Sequence, residues 1–322
     1  MKQRLKPVFS LVLLAPLIAE YLLGSLSFAQ LALFPIMALM YGAGALFVRE
    51  LARQTGRGWP TMILLGLAYA VVEEGLATQS LFNPHYLGLH LLDYGFISSL
   101  GIGGPWTVYV IVLHVAWSIA VPISFVECLF VAQRTTPWLQ KTGLAVSGLV
   151  YFLGVALVTF GSHQKEKFFA SRPQLLVAAA IAALLAVVAF ALPRRVATTP
   201  TASQRSRARA DSLGLLTFVV GSLFHLVTQF GQSWLTPWAA MAIGLALPSF
   251  VIGIVMRFCR AGDWSDSDGD ALMLGGLLAY CWLGFFLVVR LHGAGALPGQ
   301  IFPFAIIAAL IGWRFVWRTR RL

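Results

Sequence analysis

Glu73 and Glu74 are adjacent carboxyl groups inside an apolar stretch that runs from Thr61 to Asn83. A charge near the centre of a membrane helix costs about 2.5–3.5 kcal/mol to insert. Acids persist at such depth when they face a protein interior, find partners there, or stay protonated. At 1.5 Å per residue the pair lies about 18–20 Å from the inner end of its helix. Counted the same way, His114, His225 and Glu20 fall at about 18–20 Å on their own helices. Three acids and two imidazoles are therefore expected at one level. Spacing of four places His225 with Gln229, His114 with Ser118, and Glu74 with Thr78 on shared helix faces. Successive residues diverge by about 100°, so at most one of the two glutamates is expected to face a given partner squarely.

Such a set supports two versions of one chemistry. Zinc accepts neutral imidazole and carboxylate, and Glu74, His114 and His225 would make a three-ligand shell with an open water position. Glu73 would then act as general base for that water. Without metal, one glutamate activates water and the histidines hold an oxyanion. Either version hydrolyses a peptide bond within or beside the bilayer. The same residues also suit a proton-coupled transporter or flippase, as its substrate or proton site. A scaffold subunit without chemistry is the third class. Glu20 reads as a packing or relay partner, and each histidine taken singly reads as a packing residue. Pro16, Pro35, Pro122 and Pro248 fall inside predicted helices, but none interrupts the helix of the paired glutamates or that of His225. That pattern leans toward a static site.

The elements that must position these groups follow from composition. Hydrophobic residues make up 59% of the chain and charged residues 11%, against roughly 25% charged in a soluble domain. Apolar runs of about 20 residues recur from end to end, each long enough to cross a bilayer as a helix. The expected fold is an all-α, polytopic transmembrane bundle of about ten helices. Their approximate ranges are 7–28, 31–48, 61–83, 106–130, 144–160, 175–192, 213–230, 237–256, 271–289 and 301–316. The basic start, Met1 to Lys6, resembles a signal peptide, but Glu20 in the following run favours an uncleaved first helix. With the N-terminus inside, the outer segments hold only Lys165, Lys167, Arg172 and Arg290 of the 23 basic residues, so both termini are expected to be cytoplasmic. The location that follows is the plasma membrane, multi-pass. The net charge of +11 is no nucleic-acid signal, because the basic residues sit at helix ends and in short loops. The three cysteines have neither metal spacing nor a disulfide framework.

Three parts are expected. Residues 1–193 form a six-helix part with the paired glutamates, 194–211 a basic flexible linker, and 212–322 a four-helix part. The connection Pro84–Pro105 is long enough to serve as a cap. Arg49-Glu50 reads as an interfacial helix end, and Glu127 as an interface charge near Arg134. The acidic run Asp263–Asp270 lacks the bidentate glutamate of a calcium loop and reads as a cap for the ninth helix.

Paired glutamates on one helix, a histidine on the next, and a later histidine with an amide four residues on resemble the CPBP intramembrane proteases, which include the CAAX-prenyl endopeptidases. That family's pattern is Glu-Glu-x-x-x-Arg, then Phe-x-x-x-His, then His-x-x-x-Asn. Here Thr78 stands for the arginine, Val110 for the phenylalanine and Gln229 for the asparagine. The resemblance implies Glu73 as water activator supported by Glu74, with His114, His225 and Gln229 at the oxyanion or metal. It also implies a membrane-embedded or lipid-modified peptide as substrate.

Overall fold

The computed structural model describes residues 4–194 and 207–319. Ten helices among them are long and apolar enough to span a membrane. They are α1 (Leu5–Leu22), α2 (Phe28–Gln54), α3 (Trp59–Ala77), α4 (Gly104–Leu129), α5 (Lys141–Glu166), α6 (Arg172–Ala191), α7 (Ala208–Ser233), α8 (Pro237–Arg260), α9 (Asp266–His292) and α10 (Ala294–Trp313). Sheet among the described residues is confined to a two-stranded ribbon. In it β1 (Phe96–Ile97) pairs antiparallel with β2 (Ile102–Gly103), inside the connection between α3 and α4. The chain is a polytopic helical bundle. Ten successive crossings of a bilayer would place successive connections on opposite faces.

Helices α1, α3, α4 and α9 are the most buried spans, and α2 joins them. By contrast, α5, α6 and α8 leave rows of large apolar side chains exposed, such as Leu149, Phe152, Leu176, Leu184, Leu245 and Phe250. In water such rows would be a liability; in a bilayer they are the lipid-facing surface. The spans on either side of the linker pack together. Tyr280 on α9 donates to the Ala19 carbonyl on α1 at 3.2 Å, and Trp117 on α4 donates to the Gly276 carbonyl on α9 at 2.8 Å. Small residues allow these approaches. Gly284 faces the Leu22 carbonyl and Gly275 the Gly214 carbonyl so closely that a Cβ at either position would collide with backbone. Residues 195–206 of the expected linker lie outside the described residues, and helix already runs through Ala208–Asp211.

Several local expectations are corrected. Arg49 and Glu50 are not an interfacial end, because α2 continues to Gln54 and both are fully buried. Arg49 pairs with Glu50 at 2.5 Å and with Glu127 at 2.9 Å, and it donates to the carbonyls of Gln133, Arg134 and Thr136. Its guanidinium also lies 3.3 Å from the Trp138 ring centroid. Glu127 is near Arg134 as expected, but its ion pairs are with Arg49 and Arg53. Arg134 instead pairs with Asp266 at 2.7 Å and Asp270 at 3.5 Å. Burial opposes its charge, but these two acids outweigh burial and raise its pKa. The acidic run caps α9 as expected: the Ser265 side chain accepts from the Asp268 N–H, and Asp268 returns the bond. Arg209 at the start of α7 completes this end by pairing with Asp268.

Candidate functional site

Helix α3 does not run to Asn83. It is α-helical from Trp59 to Val71, then widens into a π turn, Val72–Ala77, and stops. Both glutamates sit in that turn. The same distortion occurs in three other spans, in each case where a polar residue faces inward. Glu20 lies in a π turn at Leu17–Leu22, Tyr41 in one at Ala38–Gly42, and His114 with Ser118 in one at His114–Ala120. Single π turns are uncommon and collect at functional sites. Here four of them, on four helices, bring their polar side chains together.

The centre is His114. Its Nε2 lies 2.6 Å from Glu74 Oε1 and its Nδ1 lies 3.1 Å from Glu73 Oε2. The expectation that at most one glutamate could address a given partner is therefore overturned. A flat ring offers nitrogens on two edges, so two carboxyls that diverge along α3 can straddle it. Ser118, one turn on, sits 2.9 Å from Nδ1. Glu74 Oε2 accepts from Ser80 and, at 3.2 Å, from Thr78. Tyr41 bridges Glu73 Oε1 and Glu20 Oε1, and Ser25 donates to Glu20 Oε2. A continuous polar chain thus runs Ser25–Glu20–Tyr41–Glu73–His114–Glu74–Ser80 across four helices. Glu73, Glu74 and His114 are each buried. Glu73 Oε2 has no hydrogen-bond partner despite its place beside the ring.

These groups line a cavity of about 460 Å³. Its remaining wall comes from the ends of α1, α3, α5, α7 and α9, the beginnings of α2 and α4, and the α3–α4 connection. Because spans alternate, all of those ends lie on the face opposite the N-terminus. Tyr86, Leu87, Leu89 and Leu91 of the long connection line the cavity. Burial, followed by the nearby Glu74 and Glu20, raises the Tyr86 hydroxyl well above its ordinary pKa. Lys165 and Arg290 stand at the wall where α5 and α9 end. Toward the other face the bundle is filled by Leu46, Met62, Leu65, Ile119 and Ile123, all in the apolar core.

The sequence-derived candidates divide cleanly. Glu73, Glu74, His114, Ser118, Thr78 and Glu20 are brought together, and Gln229 reaches the cavity wall. His225 is not among the gathered groups. It is fully buried in an aromatic box, 4.5 Å from the ring of Trp117 and 5.8 Å from that of Tyr280, with Phe224 and Tyr109 also in contact. Neither of its ring nitrogens has a partner. The ligand set Glu74, His114 and His225 is therefore not assembled. Among the described residues, the set that offers one ligand atom each, all within 4.8 Å, is Glu73, Glu74 and His114. Tyr41, Ser25 and Ser80 were not singled out from sequence. Tyr41 could have been found from its depth in α2, whereas Ser80 lies beyond the helix end and gave no periodic signal.

Residues 9–293 match a family model described as an uncharacterized membrane protein family, and the chain belongs to that family. No curated protein matches it, nor does any solved structure.

Proposed function

We propose that this membrane protein is an intramembrane hydrolase, with Glu73, Glu74 and His114 as its reacting groups. The observation that carries the reading is their convergence in the wall of a cavity of about 460 Å³. Glu73 has a carboxylate oxygen free of other hydrogen bonds and suits the role of water activator. His114, oriented by Ser118 and Glu74, is the proton donor to a leaving group or to a developing oxyanion. Gln229 on the wall is a further donor for a substrate carbonyl. Peptide-bond cleavage, with a membrane-embedded or lipid-modified peptide as substrate, is the reaction class that the CPBP resemblance implies. The departures at Thr78 and Val110, and the separate position of His225, mean that such chemistry would run on Glu73, Glu74 and His114.

The test is cleavage of a quenched-fluorescent peptide library by the protein in nanodiscs. Wild type is expected to cleave, and Glu73→Gln to lose at least about a hundredfold in rate while the protein still elutes as a folded species. Equal cleavage by both proteins would sink the assignment. The proton-coupled transporter keeps one observation in its favour, the unbroken chain of carboxyl, phenol and imidazole groups. It needs a route to both faces, and the apolar filling below His114 opposes that. Proteoliposomes carrying a pH-sensitive dye separate the two: substrate-driven proton flux favours transport, and cleavage without flux favours hydrolysis.

A further inference from the structure

We propose that Glu73, Glu74 and His114 bind a single divalent transition-metal ion, zinc foremost, and that Tyr41, Thr78, Ser80 and Ser118 are its supporting shell. The inference concerns the same pocket as the hydrolase reading and shares its Glu73 and His114 contacts, but it is tested by metal uptake rather than by cleavage. The first is how the polar atoms are divided. In each of the three residues a hydroxyl holds one atom: Tyr41 holds Glu73 Oε1, Ser80 and Thr78 hold Glu74 Oε2, and Ser118 holds His114 Nδ1. Glu74 Oε1 is left against His114 Nε2 at 2.6 Å, and Glu73 Oε2 lies 3.1 Å from Nδ1 on the other edge of the same ring. Metal ligands are oriented in this way, with one atom for the ion and another fixed by an outer partner.

The second observation is an orphan. Glu73 Oε2 is buried, lacks a hydrogen-bond partner and points into the cluster. An unsatisfied carboxylate oxygen in a membrane interior is costly, and a metal cation is one partner that would satisfy it. The third is charge. Glu20, Glu73 and Glu74 share the pocket floor with one imidazole, while the basic residues of the cavity, Lys165 and Arg290, stand at helix ends rather than in the cluster. A divalent ion would offset two of the three carboxylates.

Distances and donor types are compatible. Zinc–ligand bonds of about 2.0 Å in a tetrahedron put ligand atoms about 3.3 Å apart. The three candidate atoms lie within 4.8 Å of one another, and the tightest pair, at 2.6 Å, needs less than an ångström of adjustment. Three protein ligands would leave a fourth position for water. The set is entirely nitrogen and oxygen, which imidazole-bearing zinc sites accept.

Full-length protein in detergent, stripped with a chelator and titrated with zinc, tests this without any substrate. One equivalent per chain is expected, with loss of at least about tenfold in affinity for Ser118→Ala. Uptake should be absent in Glu74→Gln and His114→Ala, and unchanged in His225→Leu. No saturable uptake by wild type, or equal uptake by the Glu74 and His114 variants, overturns the site. Should those variants misfold, cobalt-loaded wild type decides. Intense visible bands of a four-coordinate N/O site support the proposal; a thiolate charge-transfer band or the weak spectrum of hydrated cobalt refutes it. Hydrolysis that survives complete zinc removal would strike the metal alone. Zinc bound without hydrolysis of any peptide would strike the hydrolase alone.

Discussion

Two buried ionic or polar groups behave in opposite ways when replaced, and the difference is a matter of partners. Arg49 is enclosed by Glu50, Glu127, three backbone carbonyls and the face of Trp138. Removing it leaves Glu50 buried without its cation and Glu127 with Arg53 alone. Arg49→Met is expected to destabilise by about 3–5 kcal/mol, seen as a large drop in the thermal unfolding midpoint in detergent. An unchanged midpoint would mean that the cluster is solvated rather than enclosed. His225 is the reverse case. Its nitrogens bond to nothing and its ring is packed among aromatics, so His225→Phe gives up no hydrogen bond and keeps an aromatic contact. Its unfolding should stay within about 1.5 kcal/mol of wild type, and peptide cleavage should persist. Loss of cleavage with folding intact would return His225 to the reacting groups.

Among elements, the crossings of α9 with α1 and α7 depend on the absence of a side chain. Any Cβ at Gly284 meets the Leu22 carbonyl, and one at Gly275 meets the Gly214 carbonyl. Gly284→Ala must therefore part α1 from α9, which shifts Glu20 at the end of α1 as well as the packing. Lower stability and weaker zinc uptake are both expected. Gly253 on α8 is the control, since a Cβ there meets nothing within 4 Å. In a helix interior Gly253→Ala should be neutral or stabilising by up to about 1 kcal/mol. Parallel melting curves of the two variants make the comparison, and equal behaviour would contradict the close approach. The π turns belong to this scale too. Each inserts extra backbone into a span at the position of a polar residue, and a uniform α-helical period would carry those residues elsewhere.

For the whole molecule, the alternating spans divide the charged groups between two faces. The Arg49–Glu127 cluster, Arg134 with Asp266, and Arg209 with Asp268 lie on the N-terminal face. The cavity lies on the other, and from the distribution of Lys and Arg we propose that this is the extracytoplasmic side. On a background without native cysteine, Lys165→Cys and Arg290→Cys should react with a membrane-impermeant maleimide on intact cells. Arg57→Cys and Arg260→Cys should react only after permeabilisation. The opposite pattern would invert the orientation.

Composition and the recurrence of apolar runs were enough to establish a polytopic bundle and its ten spans, because each bilayer-length helix declares itself locally through hydropathy. Depth along a helix likewise marked Glu73, Glu74, His114 and Glu20, since a polar residue at that level stands out whatever its neighbours are. Which of these groups meet was decided only by tertiary structure. His114 and His225 reach similar depths, yet one ring is clasped by carboxyls and the other is sealed among Trp117, Tyr280 and Phe224. Facing depends on helix rotation and crossing, and local widening into π turns alters the period by which rotation would be counted. Tyr41 joins Glu20 to Glu73 for the same reason: its contacts are made between helices, where spacing along the chain carries no information.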